Sequence, residues 1–248
     1  MRGSVSRVLA SLAVALTVSC ASSPVYWPNS HNTPQVLQRG DVHASALGNT
    51  EGFVQAQAAA AITDRIVLTV NTSHGTALRC DECDYQTSRF AELAVGTYRT
   101  TDAGRSITWL FGAGGGDTDW LGTRFKSGST LGYERAEGAL RRVFAQVAGV
   151  DRSSKRDFAK SLRVSYVWVR DYGLFAKDTA AGSTAYNRQL DRRGRPWSFY
   201  LEPSLSMWFR FRYLRVGPQV GASFPMNPWP RFGHRPGSLN LGVQFGAQ

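Results

Sequence analysis

Apolar and polar side chains alternate with a period of two along most of the chain, and no sustained helical period appears after residue 20. The clearest run spans 157–170. Phe158, Leu162, Val164, Tyr166 and Trp168 share one face, with Lys160 the exception among them, while Ala159, Ser161, Arg163 and Ser165 share the other. Between 197 and 210, Trp197, Phe199, Leu201, Pro203, Leu205, Met207 and Phe209 oppose Ser198, Tyr200, Glu202, Ser204, Ser206 and Arg210, with Trp208 on the polar side. Runs at 214–224 and 239–245 repeat the pattern, and weaker ones lie near 40–48, 52–61, 65–74, 88–100, 105–114 and 139–150. This predicts about ten strands, with eight as the alternative, each about as long as a tilted strand needs to cross a bilayer.

The links between these runs alternate in length. Those at 61–65, 100–105, 150–157 and 209–213 are short and hold turn residues, whereas those at 74–88, 114–139, 170–197 and 224–237 are long. The first link, near 48–52, is short and breaks the order. Short periplasmic turns and longer external loops are the habit of a transmembrane barrel. The expectation is therefore an all-β, antiparallel, up-and-down transmembrane barrel over residues 40–248, with both termini in the periplasm. A water-soluble barrel alternates too, but buries its apolar face. Aromatic residues near strand ends favour the membrane form, because Trp and Tyr girdle such barrels at both interfaces.

Ahead of the strands, Arg2 and Arg7 precede an apolar stretch, Val8 to Leu16, that is too short to span a bilayer. Leu16-Thr17-Val18-Ser19-Cys20 follows and resembles the lipobox of bacterial lipoproteins, with Thr17 standing where Leu is usual. Residues 1–19 are expected to be a lipoprotein signal peptide, and Cys20 the lipidated residue (diacylglycerol and palmitate). No Asp follows Cys20, so nothing resembles the retention signal of the inner membrane, and the expected address is the outer membrane. Residues 20–39, rich in Pro, Asn, Ser and His, read as a periplasmic tether between the lipid and the first strand.

The run YWPNSHNTPQVLQRGDVHASALG at 26–48 resembles the opening of a family of small Gram-negative outer-membrane barrel lipoproteins of uncharacterised function. In that family a Pro-Asn-x-x-Asn-x-Pro segment leads into the first strand, and Pro28, Asn29, Asn32 and Pro34 match it. The runs at 55–73, 161–169 and 200–223 are similar to its later strands. The resemblance implies a barrel fold and an outer-membrane address, and brings no catalytic residues.

Composition narrows the partners. A mean hydropathy of -0.27 excludes a bundle of membrane helices, but not a barrel, whose strands average near neutral. The formal charge is +11; without Arg2 and Arg7 the mature chain keeps 27 basic against 18 acidic residues, or +9. Such a balance suits acidic partners. Export makes membrane lipid the expected one, including lipopolysaccharide phosphates, and argues against nucleic acid; an envelope protein partner is also open.

Glu92, Arg163, Glu202 and Arg215, with Arg142, lie on polar strand faces and are expected inside the barrel, as a salt-bridge network filling a narrow lumen in preference to a selectivity ring. Arg163 and Glu202 are expected in reach of one another, on neighbouring strands. Cys80 and Cys83 read as a loop disulfide more readily than as half of a metal site. Lys177, Arg188, Arg192, Arg193 and Arg195 form a candidate anionic-lipid patch, since Arg grips phosphate bidentately. Gly112 to Gly116 is expected to end a strand and open an external loop; no Lys-Ser or Lys-Thr follows to make it a phosphate loop. No spacing selects a catalytic group, metal or cofactor. The expected role is structural or ligand-binding, with a narrow transport channel second and a lipid-A-modifying enzyme third.

Overall fold

A computed structural model describes residues 24–26, 28–49, 52–79, 84–101, 104–126, 130–178, 188–191, 196–212, 214–227, 233–234 and 237–247. In chain order the strands are β1 (Pro24–Tyr26), β2 (Val42–Gly48), β3 (Phe53–Ala61), β4 (Ile66–Arg79), β5 (Asp84–Thr100), β6 (Arg105–Lys126), β7 (Thr130–Arg152), β8 (Arg156–Asp178), β9 (Arg188–Asp191), β10 (Trp197–Arg210), β11 (Arg215–Ala222), β12 (Phe224–Pro225), β13 (Gly233–His234) and β14 (Gly237–Ala247). Among the described residues there is no helix. β2 to β8, β10, β11 and β14 pair antiparallel, each with the next, and β14 pairs back onto β2 from Leu241↔Gly48 to Ala247↔Val42. The result is a closed antiparallel barrel of ten strands.

The wall is inside-out relative to a soluble protein. Leu93, Phe111 and Leu241 point outward at 62%, 67% and 67% exposure, whereas Arg163 and Glu202 point inward at 1% each. On β8 the outward apolar set begins at Phe158 and ends at the ring cluster of Tyr166, Trp168, Trp197 and Phe199, whose centroids lie 4.9–5.8 Å apart in the pairs Tyr166–Phe199 and Tyr166–Trp197. An outer band of aliphatic side chains edged by aromatics fits hydrocarbon bounded by headgroups. Through the band each of the ten strands pairs on both sides, the condition for backbone in lipid. Lys160 keeps its outward place; its stem lies along the strip left open by Gly149, an arrangement that lets the ammonium reach toward the interface.

The short turns gather at one end. Thr63 folds its hydroxyl onto the amides of Arg65 and Ile66 between β3 and β4, and Ser153 does the same for Arg156 between β7 and β8. At the opposite end the described parts of three expected loops are largely strand, the link 170–197 among them, where β8 runs on to Asp178 and β9 follows. Residues expected as the links 74–88 and 114–139 extend β4, β5, β6 and β7, so that β6 and β7 pair without a break from Arg105↔Asp151 to Phe125↔Leu131 and Lys126↔Thr130. Beyond the apolar band apolar–polar alternation no longer marks them, although Gln86, Ser88, Thr118 and Ala136 still point inward and are buried. A charged pair crosses the hairpin: Arg135 on β7 grips Asp119 on β6 at 2.7 and 3.0 Å, and also reaches Glu137 on its own strand at 3.1 Å. Gly112 to Gly116 is likewise corrected, lying mid-way along β6. A Cβ on Gly112 or Gly114 would strike Phe144 or Phe90, so the glycines make room for two inward rings.

Residues 20–39 do not form a periplasmic tether along the described part. From Pro28 to Val36 every side chain is buried, inside the barrel. Tyr26 lies in the cluster with Phe90, Leu140, Val167, Val169, Tyr172 and Tyr200, whereas Val36 lies with Ala59, Ala61, Val67, Tyr98 and Leu110 near the short turns. The segment therefore runs the length of the lumen toward the short-turn end. There Asp41 accepts from the amides of Leu37 and Gln38, and the chain reverses into β2.

Substituting Val164→Arg, outward and mid-band, is expected to cost about 2–4 kcal/mol of stability in lipid, against about 0–1 for Val42→Arg near the rim. Urea titration of the vesicle-folded barrel, followed by heat-modifiable gel migration, measures both; equal losses at the two depths would refute the lipid-facing assignment.

Candidate functional site

The lumen is the site, and its wall and its filling come from different parts of the chain. Inward parity on β5, β7, β8 and β10 delivers Glu92, Arg142, Arg163 and Glu202 to one level. Arg142 pairs with Glu92, and Arg163 Nη2 lies 3.4 Å from the other Glu92 oxygen. Two carboxylates and two guanidiniums balance in charge, which a dry interior requires, since an uncompensated ion there costs several kcal/mol. Arg163 Nε also donates to Gln146 at 2.9 Å. Both guanidiniums lie over rings: Arg163 over Phe144 at 4.3 Å, Arg142 over Phe90 at 4.8 Å. Such stacking spends the delocalised face of Arg while its edge makes the ion pairs.

Arg163 and Glu202 are register partners on β8 and β10. The ion pair of Arg163, however, goes across the lumen to Glu92. Glu202 accepts from Ser165 at 2.5 Å, from the Tyr26 hydroxyl at 2.8 Å and from Ser223 at 3.4 Å. Tyr26 in turn accepts from Arg142 at 2.7 Å and stacks on Tyr200 at 4.7 Å between centroids. The hydroxyl thus joins Glu202 to the Glu92–Arg142–Arg163 cluster in one network.

Arg215 belongs to a second cluster, at the short-turn end. Asp157, 0% exposed, lies 2.6 Å from Arg210 and 3.3 Å from Arg215, and Arg215 also donates to Gln35. Arg152 donates to the Gln35 carbonyl. Sequence reasoning missed Asp157, although its parity with Ala159, Ser161 and Arg163 places it inward.

Between the two clusters the inner segment is held by side-chain amides of the wall. Ser30 donates its amide to Gln55 at 2.8 Å, and its carbonyl accepts from Gln57 and Asn71, each at 3.0 Å. Gln219 donates to the His31 carbonyl and Gln146 to the Asn32 carbonyl, both at 2.8 Å. Asn32 donates to the Ala58 carbonyl at 2.8 Å, and Asn29 accepts from Ser73 at 2.8 Å. Pro28 and Pro34 carry no amide hydrogen, which lowers the number of donors a buried extended chain must satisfy. The packing is close: beside Pro28, His31, Glu202 and Gln219 a cavity of about 10 Å³ remains, space for a single water.

His31 Nδ1 sits 2.7 Å from Ser161 Oγ. A hydroxyl beside an imidazole resembles a nucleophile and its base. Both are buried, the charges of Arg163 and Arg142 act on the ring, and the ring's partner is Ser161. The pair serves to anchor the inner segment.

Of the other expected residues, Cys20, Cys80, Cys83, Arg192, Arg193 and Arg195 lie outside the described residues. Lys177 pairs with Tyr133 and Arg188 with Ala176 through the backbone of the external hairpins.

No family model matches the chain, and no curated protein matches it. Among solved structures it is similar to the translocator domain of autotransporter NalP from Neisseria meningitidis, at 9% identity and a TM-score of 0.48, over 98% of this chain and 94% of that one.

Replacing Glu92 with Gln leaves Arg142 and Arg163 facing one carboxylate, and is expected to cost about 3–5 kcal/mol, as breaking a buried pair does. Adding Arg142→Met restores the balance and should recover more than half. Chemical-denaturation midpoints of the detergent-folded single and double variants test this; additive losses would show that the charges do not act as a unit.

Proposed function

We propose that this chain is an outer-membrane barrel lipoprotein whose lumen is closed by its own N-terminal segment, with a structural or partner-binding role in the cell envelope and no catalysis. The observation that carries the reading is the burial of every residue from Pro28 to Val36 inside the wall. A conduit needs a continuous wet path, with binding weak enough to release what passes. Here the path is occupied by polypeptide, hydrogen-bonded at Ser30, His31, Asn32 and Gln35 and locked by Tyr26 between Arg142 and Glu202.

The rigid closed wall serves to display what lies outside it. The long hairpins β4–β5, β6–β7 and β8–β9 rise from one end, and the basic residues Lys177, Arg188, Arg192, Arg193 and Arg195 belong to that end by chain position. Anionic outer-leaflet lipid, such as lipopolysaccharide phosphate, is the ligand this charge suits. Membership of the barrel-lipoprotein family resembled by residues 26–48 is part of the same proposal, as is acylation of Cys20.

Planar-bilayer recording decides between a closed barrel and a channel. The wild-type protein is expected to give no discrete current steps. A variant with residues 26–36 replaced by an equal length of Gly and Ser, folded as judged by heat-modifiable migration, is expected to give them. Steps from the wild-type protein would establish the channel reading and end this one.

A further inference from the structure

The inner segment has a direction, and that direction places the start of the mature chain. Val36 lies near the short turns, with Ala61 and Tyr98, and Tyr26 lies toward the other end, with Tyr172 and Tyr200. Ahead of Tyr26 the chain pairs in parallel with Gly233–His234, within the link from β11 to β14 on the side of the long hairpins. Short turns mark the periplasmic end of a barrel.

We propose that the mature N-terminus emerges on the cell surface through the barrel's own lumen, so that lipid on Cys20 enters the outer leaflet of the membrane and not the periplasmic leaflet. The acyl part rests on the lipoprotein reading of Cys20 given above; the route of the chain does not. Reach excludes the other leaflet. Cys20 precedes Pro24 by four residues, and an extended chain covers at most ~3.6 Å per residue, or about 14 Å here. The apolar band of such a barrel is about 25 Å tall. The lumen offers no way back, since residues 28–36 already fill it.

Closure fixes the arrangement. β14 joins β2 along seven residue pairs, completing a wall around the segment. Withdrawing the segment would strip Glu202 of the Tyr26 hydroxyl and Arg142 of its partner oxygen, leaving buried charge under-satisfied. The threaded state is thus set when the barrel folds, and the anchor on the outside is held by the wall as much as by lipid.

The test uses the full chain in its native outer membrane, with Cys80→Ser and Cys83→Ser removing the other thiols. Into this background Ser22→Cys or, in the β7–β8 turn, Ser154→Cys is placed, and cells are treated with a membrane-impermeant maleimide. Ser22→Cys is expected to label as strongly on intact cells as after permeabilisation, and Ser154→Cys only after permeabilisation. Labelling of Ser22→Cys only after permeabilisation would overturn the proposal. The parent without either new thiol reports on Cys20 itself: no label, together with incorporation of an alkyne fatty acid, is the result expected of an acylated residue. A parent that labels on intact cells would remove the acyl group from the proposal and leave the surface exit standing. Assembly of each variant is checked by heat-modifiable migration. Should Ser22→Cys fail to assemble, an epitope inserted between Ser22 and Ser23, probed with antibody on whole cells, gives the same two outcomes.

Discussion

Four ionised groups, Glu92, Glu202, Arg142 and Arg163, meet inside a wall whose outer face is hydrocarbon-like, and their mutual neutralisation governs what else the lumen can hold. Burial of each alone would cost more than a typical domain's stability can spare. Opposite charges in equal number, with Glu92 taking both arginines, remove most of that cost, but the remaining oxygens and N–H groups, those of Glu202 above all, still need partners. Water would serve in a wide pore. In a barrel of ten strands the space goes to the chain itself, and Tyr26 supplies the hydroxyl that accepts from Arg142 and donates to Glu202.

The same requirement explains the composition of the inner segment and of the wall around it. Gln55, Gln57, Asn71, Gln146 and Gln219 are long or forked amides that can donate to or accept from a backbone lying in extended form. They do for the segment what a neighbouring strand would do in a sheet, without imposing strand geometry. Apolar clusters lie beside the charged ones, around Tyr26 and Phe90 and around Val36 and Tyr98, and the amide-held part of the segment runs between them. Under the proposed function, a closed lumen of this kind makes the barrel a scaffold for the external hairpins.

Outside the membrane the physics changes and so does the sequence pattern. Where lipid touches one face and the lumen the other, side chains must alternate. Beyond the apolar band, β6 and β7 continue as a ladder that Arg135 joins to Asp119 across the two strands, and apolar–polar alternation fades. Reading loops at 114–139 was the natural consequence of following alternation alone. Glycine misled in the same way: Gly112 and Gly114 look like loop residues, yet they are wall positions hollowed for Phe144 and Phe90.

By itself the sequence determined the strand set and which residues share a face, and it favoured the inside-out wall over a soluble barrel. Phe158 to Trp168 and Trp197 to Phe209 each carry that information locally, because a strand between lipid and a polar lumen must repeat every two residues wherever it sits. It also placed Glu92, Arg163 and Glu202 inward. Only the tertiary structure decided that Arg163 meets Glu92 across the lumen while its register partner Glu202 takes Ser165 and Tyr26, and that Asp157 gathers Arg210 and Arg215 apart from them. Only it decided, too, that residues 28–36 belong inside. An extended segment satisfied by amides from many strands has no period of its own; its Pro, Asn and Ser look the same in a linker and in a plug until the wall closes round them.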